Sequence, residues 1–242
     1  MTDPRLYCTH RLHAGAEVTL DPAQSHYLLR VLRLKRNDRL RLFNESCGEW
    51  RGRLVETGRG AARVRIEGLL RAPVPEPGPV LYVAPPRRGR LAWLVEKAVE
   101  LGVASIRPVQ TRRSVALPHN PERLTRIAVE AAEQCGRLSV PEITPLAPLF
   151  QRLDDDRPER LILADPEAGA GGLLQELRHN PAPAFLVGPE GGFAPEERAA
   201  LIRRPGVRAV RLGPRVLRVE TAAVALLACW ALLREESHAA AP

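Results

Sequence analysis

Two segments in the last third of the chain share one layout, a short apolar run followed at once by a glycine-rich turn. The first is Ala184–Val187 with Gly188-Pro189-Glu190-Gly191-Gly192-Phe193 after it, and the second is Val207–Leu212 with Gly213 after it. This layout is typical of parallel strands whose carboxyl ends carry a ligand site, because glycine lets the main chain approach a ligand closely. The two turns together predict one pocket built from neighbouring backbone loops.

From Val80 onwards, strand-like and helix-like segments alternate, which predicts an α/β fold with a mostly parallel sheet. The predicted strands are Val80–Ala84, Ser105–Gln110, Arg160–Ala164, Ala184–Val187 and Val207–Leu212. The predicted helices are Leu91–Leu101, one opening at Asn120-Pro121, one opening at Pro195-Glu196-Glu197, and Glu220–Arg234. The last helix is apolar nearly all round and needs cover on several sides, for which a second copy of the chain is a natural source.

The first part of the chain, residues 1–72, predicts a separate β-rich domain. Alternating polar and apolar residues in Arg39–Phe43 and Arg63–Glu67 are typical of half-buried strands, and one helix at Ala23–Leu34 interrupts them. We expect a small barrel with one helix. Four prolines in residues 72–79 predict a stiff linker at 73–79, which leaves 80–242 as the second domain.

The cations of the chain are nearly all arginine, since Lys35 and Lys97 are the only lysines. The net charge of +8 favours an anionic partner, and arginine forks suit RNA phosphates and bases. An arginine-rich genome produces the same bias. Aromatic residues make up only 4% of the chain, so base stacking is not expected to be the main grip on RNA.

The cysteines and apolar runs exclude several classes of protein. Cys8, Cys47, Cys135 and Cys229 are widely separated and form no CxxC pair, so we expect no metal site. No signal peptide is evident, and the longest apolar run, Ala222–Leu233, is far shorter than the ~20 residues that cross a bilayer. We therefore expect a cytoplasmic protein with reduced thiols and no membrane partner.

The glycine-rich segments, the stretch Glu133–Arg137 and the motif from His26 to Arg33 resemble the RsmE family of ribosomal RNA uridine methyltransferases. The resemblance runs to about Ala231, and that family belongs to the knotted SPOUT class. It implies a PUA-like β-barrel that binds RNA, followed by a SPOUT methyltransferase domain with a C-terminal trefoil knot. It also implies a homodimer that uses S-adenosylmethionine, without a metal, to methylate N3 of a uridine in 16S ribosomal RNA, within the small ribosomal subunit.

The resemblance assigns the cofactor to both glycine-rich loops, where backbone amides and carbonyls can hold its adenine and methionine parts. An apolar slot for the adenine is expected from Leu186, Val187, Leu212, Val216 and Leu217. The remaining expected cofactor residues are Gly188, Glu190, Gly191, Gly192, Gly213 and Thr221. A tight turn alone, or a helix cap in the case of Thr221, explains the same residues without a cofactor.

Arg218 and Glu220 are the candidate catalytic residues, because they stand where the second loop enters the last helix. Arg218 is expected to hold an RNA phosphate or to stabilise charge that develops on a uracil oxygen. Glu220 is expected to accept a proton or to orient Arg218, although the two side chains can also form a plain salt bridge. Neither loop motif holds a histidine, so the sequence does not identify the group that removes the N3 proton.

The candidate RNA contacts are spread along the chain. They are His26, Arg30, Arg33, Arg112, Arg113 and Arg137. Tyr27, Leu28, Val31 and Leu32 are predicted to form the apolar face of the first helix, opposite its cations. We predict that Cys135 packs in the core and that Glu133, Gln134 and Arg137 point away from it. Plain solvation of these polar groups is the alternative.

Three other functions compete with this hypothesis. A related SPOUT enzyme that methylates a ribose 2′-hydroxyl of transfer RNA, and a non-catalytic protein for RNA binding or ribosome assembly, share the expected fold. The stretch Gly169–Gly172 suggests a nicotinamide-dependent oxidoreductase, but Leu174 occupies the third glycine position of a dinucleotide fingerprint. We interpret that stretch as a flexible turn.

Overall fold

The computed structural model describes residues 3–57, 61–86, 89–114, 120–169, 172–180 and 182–239. The chain forms two compact units. Unit 1 comprises residues 1–76 together with 132–140, and unit 2 comprises 77–131 together with 141–242. The first division falls inside the predicted linker. Residues 132–140 also belong to unit 1, whereas the predicted boundaries place them in the second domain.

Unit 1 is built on a five-stranded sheet with the order β1-β3-β4-β5-β2. The strands are β1 Arg5–Tyr7, β2 Glu17–Thr19, β3 Arg39–Asn44, β4 Gly48–Thr57 and β5 Ala62–Arg71. Strands β1 and β3 run parallel and the other pairs are antiparallel. Alternate residues point to a core that includes Leu40, Leu42, Leu54, Val64 and Ile66. The β-rich character predicted for this part of the chain is therefore confirmed.

The predicted helix of unit 1 is two elements, the α-helix α1 Pro22–His26 and a π-helical turn at Tyr27–Val31. The side chain of Asp21 caps α1 by accepting a hydrogen bond from the Gln24 amide at 2.8 Å. Because the π-helical turn has i→i+5 bonding, it breaks the spacing of three and four on which the predicted apolar face was based. The prediction of that apolar face is wrong. Of its four residues only Leu28 is buried, and Tyr27, Val31 and Leu32 are exposed.

Charged side chains bind residues 132–140 to the rest of unit 1. The Arg5 guanidinium donates to the carbonyl oxygens of Ala132 and Arg137, and the Glu76 carboxylate accepts from the amides of Leu138 and Ser139. Burial alone raises the pKa of Glu76, but the hydrogen bonds from Ser139 and Leu138 and the charge of Arg137 hold it below its ordinary value.

Unit 2 contains a parallel sheet, and the described strands follow the order β12-β10-β11-β6-β7-β8, with β9 paired to β7. The strands are β6 Val80–Val83, β7 Ser105–Gln110, β8 Glu142–Ile143, β9 Ala147–Pro148, β10 Leu161–Ala164, β11 Ala184–Val187 and β12 Val207–Val210. Each pair is parallel. The predicted parallel sheet is confirmed, and its strands read as short apolar runs because both faces are covered.

Six helices accompany this sheet in the part of the chain that the structure describes. They are α2 Arg90–Glu100, α3 Pro121–Cys135, α4 Leu149–Asp156, α5 Leu173–His179, α6 Pro195–Arg203 and α7 Val219–Ala239. Asn120 caps α3 as expected, because its side-chain oxygen accepts a hydrogen bond from the Arg123 amide at 3.1 Å. Helix α7 buries Ala223, Leu226 and Leu227 but leaves Leu232 exposed.

Candidate functional site

The loops after β10, β11 and β12 meet at one edge of the sheet in unit 2. Ala164, the last residue of β10, is in register with Val187 of β11 on one side and with Val210 of β12 on the other. Because all three strands are parallel, their carboxyl ends coincide, and the chain order reverses around β10. This is the switch point at which open α/β sheets bind ligands.

The loop after β11 is a tight glycine turn. The Gly192 amide donates to the Pro189 carbonyl at 2.8 Å, and Gly192 has a φ of +67°. A Cβ on Gly188 would lie 2.6 Å from Cε2 of Phe193, so this position has no room for a side chain. The ring of Phe193 therefore packs directly over the main chain where the loop leaves the strand.

The loop after β12 contains a hydrogen bond from one of its own side chains. Arg211 Nε donates to the Gly213 carbonyl at 2.9 Å, and Gly213 has a φ of +103°, which favours glycine. Val216 at the far side of the loop is exposed. The Ala222 amide then bonds to the Arg218 carbonyl at 2.8 Å, so Arg218 stands at the point where α7 begins.

Sequence reasoning missed the third loop, Asp165–Glu167 after β10. Asp165 is buried, and its carboxylate accepts hydrogen bonds from Arg198 Nε at 2.9 Å and from the Glu167 amide at 3.0 Å. The hydrogen bond to Asp165 raises the pKa of Arg198 above its ordinary value. The only signal in the sequence was an aspartate directly after an apolar run, at the end of a predicted strand.

The three loops enclose a cavity of about 190 Å³ within unit 2. Its lining residues are Arg113, Ala164, Asp165, Pro166, Glu167, Val187, Gly188, Pro189, Glu190, Gly191, Gly192, Phe193, Arg211, Leu212, Arg215, Val216, Leu217, Val219 and Ala222. The two glycine segments that share a layout in the sequence thus share one cavity in the structure. The lining combines apolar side chains, the glycine-rich main chain and side chains of both charges.

Most of the predicted cofactor residues lie on this cavity. Those that line it are Val187, Gly188, Glu190, Gly191, Gly192, Leu212, Val216 and Leu217. Gly213 and Thr221 are exposed and are not among the lining residues. Leu186 is fully buried in a core cluster with Tyr82 and Leu163, because successive side chains of a strand point to opposite faces and Val187 takes the cavity side.

Glu220 pairs with Arg90 of α2, a residue that sequence reasoning did not connect with the site. Oε1 of Glu220 accepts a hydrogen bond from Arg90, and Oε2 is buried without a hydrogen-bond partner among the described residues. The salt bridge of Arg218 with Glu220 was the alternative to a catalytic role; the structure instead pairs Glu220 with Arg90 and leaves Arg218 exposed. The carboxylate is only 7% exposed and sits in the first turn of α7, beside the cavity residues Val219 and Ala222.

Arg113, a candidate RNA contact in the sequence, lines the cavity. Its Nη1 donates to the Gly191 carbonyl at 3.0 Å. The neighbouring Arg112 amide donates to Oε1 of the buried Glu197 at 2.8 Å, while Oε2 of Glu197 accepts from the Ala194 amide at 3.0 Å. Glu197 therefore ties the loop after β7 to the start of α6.

The predicted RNA contacts of unit 1 differ in their environment. His26 is exposed at the end of α1, Arg30 in the π-helical turn and Arg33 just after that turn. The Arg137 side chain is 10% exposed and packs beside Ser139 and Glu76, and burial lowers its pKa. Neighbouring Glu133 accepts a hydrogen bond from the Tyr7 amide. Arg137 is therefore buried and held by contacts within unit 1, and it is not part of the RNA surface proposed below.

Other kinds of site have no support among the described residues. No group of three or more His, Cys, Asp or Glu side chains in the described ranges could hold a metal ion. Within the same ranges, no helix combines the length and the apolar character that a bilayer crossing requires. The four cysteines are free thiols. Ala170 and Gly171 of the stretch interpreted as a flexible turn lie outside the described residues.

Comparison with known protein families matches both parts of the chain. Residues 75–231 match the family described as "RNA methyltransferase domain", and residues 20–67 match "RNA methyltransferase PUA domain". The ribosomal RNA small subunit methyltransferase E of Rickettsia conorii is 32% identical over 232 residues, which cover 95% of both chains. The protein of the same name from Synechocystis is 33% identical and covers 88% of this chain and 72% of its own.

Solved structures of similar fold include two that were crystallised with the cofactor. The ribosomal RNA small subunit methyltransferase E from Neisseria gonorrhoeae, bound to S-adenosylmethionine, superposes with a TM-score of 0.83 at 30% identity over 96% of this chain and 98% of its own. A putative methyltransferase from Legionella pneumophila, in complex with the same cofactor, gives a TM-score of 0.84 at 28% identity with the same coverage. The chain described here therefore belongs to the RNA methyltransferase family whose members include ribosomal RNA small subunit methyltransferase E.

Proposed function

We propose that this chain transfers a methyl group from S-adenosylmethionine to N3 of a uridine in 16S ribosomal RNA, in the cytoplasm. The observation that carries the proposal is the cavity that the loops after β10, β11 and β12 enclose at the carboxyl edge of the sheet. The Neisseria and Legionella relatives, which share the fold over nearly their whole length, were crystallised with this cofactor.

The residues of the cavity fit this cofactor chemically. Val187, Leu212 and Leu217 offer an apolar wall for the adenine, and the turn after Gly188 brings main-chain groups to the cavity without side chains between. Arg211 and Arg215 supply positive charge for a carboxylate, and acidic side chains line the same cavity. When bound, S-adenosylmethionine supplies a methyl group on a positively charged sulfur, so the reaction needs no metal.

The residues of the chain would then position the uracil and stabilise its charge. Arg218 is exposed at the start of α7, next to the cavity residues Leu217 and Val219, and can stabilise negative charge on a uracil oxygen as the N3 proton leaves. Glu220 is the nearest carboxylate in sequence, and Arg90 fixes one of its oxygens. We assign Glu220 to the same reaction. The rate enhancement comes mainly from positioning the two reactants.

The wider assembly belongs to the same proposal. The exposed side chains of His26, Arg30, Arg33 and Arg112 would contact phosphates of the ribosomal RNA, which sets the position of the enzyme without reading sequence. The loops around the cavity would form a trefoil knot. A second copy would cover the apolar side chains of α2 and α7 that remain exposed, Trp93 and Leu232, giving a homodimer that acts on the small ribosomal subunit.

The test combines cofactor binding with identification of the product. We expect calorimetry to detect binding of S-adenosylmethionine to the wild-type protein, and mass spectrometry of nucleosides to detect N3-methyluridine in 16S RNA. Comparing free RNA with intact small subunits identifies the substrate. A 2′-O-methylated nucleoside in transfer RNA would point to the related reaction, and RNA binding without methylation to a non-catalytic role.

A matched pair of arginine variants separates catalysis from general charge. Arg218→Ala should abolish methyl transfer and leave cofactor binding intact. Arg208→Ala removes an equally exposed cation from β12, where its guanidinium lies 3.8 Å from Glu176, and should leave both unchanged. Equal activity of the two variants would remove Arg218 from the mechanism.

A further inference from the structure

Unit 1 carries a strip of exposed apolar side chains next to exposed cations. Tyr27 is 43% exposed, Val31 58% and Leu32 38%, whereas many other large apolar side chains of this unit fill its core. Single exposed apolar residues are ordinary, but three within six positions form a patch that needs an explanation. The sequence pattern placed these residues against the core, so the strip is a product of the tertiary structure.

The local backbone puts the three side chains on one side. The Leu32 amide bonds to the Tyr27 carbonyl at 2.9 Å, which makes these two residues one π-helical turn apart. Val31 directly precedes Leu32. Short π-helical segments occur frequently at functional sites, and Arg33, directly after this turn, has a φ of +57°, which non-glycine residues rarely adopt.

Other residues of the same segment are held to the rest of unit 1, so the strip stays exposed to solvent. Leu28 is fully buried in the core of unit 1. Gln24 Nε2 donates to the Tyr7 carbonyl at 2.7 Å, and the Ser25 hydroxyl accepts from the Ala62 amide at 2.9 Å. These contacts fix one side of α1 and the π-helical turn, so Tyr27 cannot turn inward without breaking them.

The cations next to the strip indicate the chemistry of its occupant. Arg30 and Arg33 are exposed on the same short segment, together with His26, in a chain with a net charge of +8. An unpaired RNA strand offers both groups that such a surface needs, phosphates for the cations and open base faces for the apolar side chains. A double helix offers phosphates but stacks its bases inside, so it would leave the apolar strip uncovered.

We propose that Tyr27, Val31 and Leu32 form a platform for unpaired bases of the substrate RNA, and that unit 1 therefore grips a single-stranded element. The inference rests on the function proposed above and specifies which kind of RNA the unit recognises. Tyr27 stacks on a base, Val31 and Leu32 widen the apolar surface, and Arg30 and Arg33 bind the flanking phosphates. A second copy of the chain is the alternative occupant that the test must exclude.

The test measures binding of the full chain to a short uridine-rich single-stranded RNA and to the same strand annealed to its complement. Tyr27→Ala should weaken binding to the single strand by about tenfold and leave binding to the duplex unchanged. Tyr27→Phe should restore single-strand binding, because the ring is what stacks. Leu69→Ala is the matched control: Leu69 is 50% exposed in the same unit, on strand β5, and its loss should change neither affinity.

Salt dependence separates the two kinds of contact. Arg30→Ala should reduce the slope of log affinity against log salt by about 0.7 for the single strand, since one phosphate contact is lost. Tyr27→Ala should lower the affinity without changing that slope. Three results for Tyr27→Ala would each overturn the proposal. They are an equal loss of affinity for single strand and duplex, no loss of affinity for the single strand, and dissociation of a dimer in sedimentation.

The outcome can be distinguished from failure of the proposed function. Methyl transfer by the wild-type protein is measured in the same preparation. If the wild type methylates RNA and Tyr27→Ala binds the single strand normally, only the base platform is wrong. If Tyr27 discriminates single strand from duplex but no methylated nucleoside forms, the platform stands and the proposed reaction falls.

Discussion

The carboxylate of Glu197 accepts a hydrogen bond from the amide of Arg112 at 2.8 Å, although the two residues are 85 positions apart in the chain. Through this bond a buried acidic side chain of α6 holds the loop that carries Arg113, a residue of the cavity. The other oxygen of Glu197 caps its own helix at the Ala194 amide. One side chain thus joins two of the loops around the proposed cofactor site.

Replacing Glu197 should therefore destabilise the protein and loosen the cavity. Glu197→Ala leaves two amides without their acceptor, and we expect the free energy of unfolding to fall by about 2 to 3 kcal/mol. Glu197→Gln keeps one acceptor oxygen and should cost about half as much. Glu196→Gln is the control, because Glu196 is exposed and its contact with the Arg112 side chain is worth less than ~1 kcal/mol. Urea denaturation measures all three, and equal effects at 196 and 197 would contradict the assigned role.

The two glycines of the first loop should differ in their tolerance of alanine. Gly188→Ala places a methyl group against the Phe193 ring and should destabilise the fold by about 1 to 3 kcal/mol and weaken cofactor binding. At Gly191 the nearest atom to a new Cβ is Arg113 Cβ at 3.7 Å, an ordinary contact, so Gly191→Ala should fold with nearly unchanged stability. Thermal unfolding of both variants decides the matter, and an unchanged Tm for Gly188→Ala would speak against the close packing.

The stability of unit 2 should depend on Tyr82 at alkaline pH. Burial and the hydrogen bond to Asp156 at 2.9 Å raise the pKa of Tyr82 from 10.0 to about 12. Because the folded state holds this proton more tightly, the stabilisation is complete below pH 10 and is lost as the pH rises towards 12. The loss amounts to at most about 3 kcal/mol.

Phenolate absorbance together with denaturation at several pH values can isolate this group. The chain has only three tyrosines and two lysines, so few other groups titrate in this range. Tyr82→Phe should flatten the fall in stability between pH 10 and 12. If the variant loses stability as steeply as the wild type, another group is responsible.

The ion pair of Arg90 and Glu220 should couple stability to activity. Arg90→Ala leaves both oxygens of a buried carboxylate without a partner, and we expect a loss of about 2 kcal/mol in unfolding free energy. Glu220→Gln should cost less, and the double variant should reveal a coupling of about 1 to 2 kcal/mol. Methyl transfer should fall in kcat for both single variants. Lys97→Ala on the same helix removes only partly exposed ion pairs with Glu96 and Glu100 and should be nearly neutral in both measurements.

Local patterns in the sequence were enough to place many secondary-structure elements. Ser105–Gln110 and Ala184–Val187 were predicted with the bounds that the structure has, because short apolar runs between turn residues are local signals. The start of α3 at Asn120-Pro121 was predicted from capping chemistry alone. The glycine-rich loops were recognisable because both follow such runs directly.

Other features depend on which strands lie side by side, and no local pattern specifies that. Asp165 enters the cavity because β10 lies between β11 and β12, and Arg90 reaches Glu220 from 130 residues away. The π-helical turn reversed the expected burial of Tyr27, since anchors in distant strands override the helical period. The sequence determined many of the elements, the glycine turns and the excess of positive charge. The tertiary structure decided which side chains meet at the site, because packing brings residues together regardless of their separation along the chain.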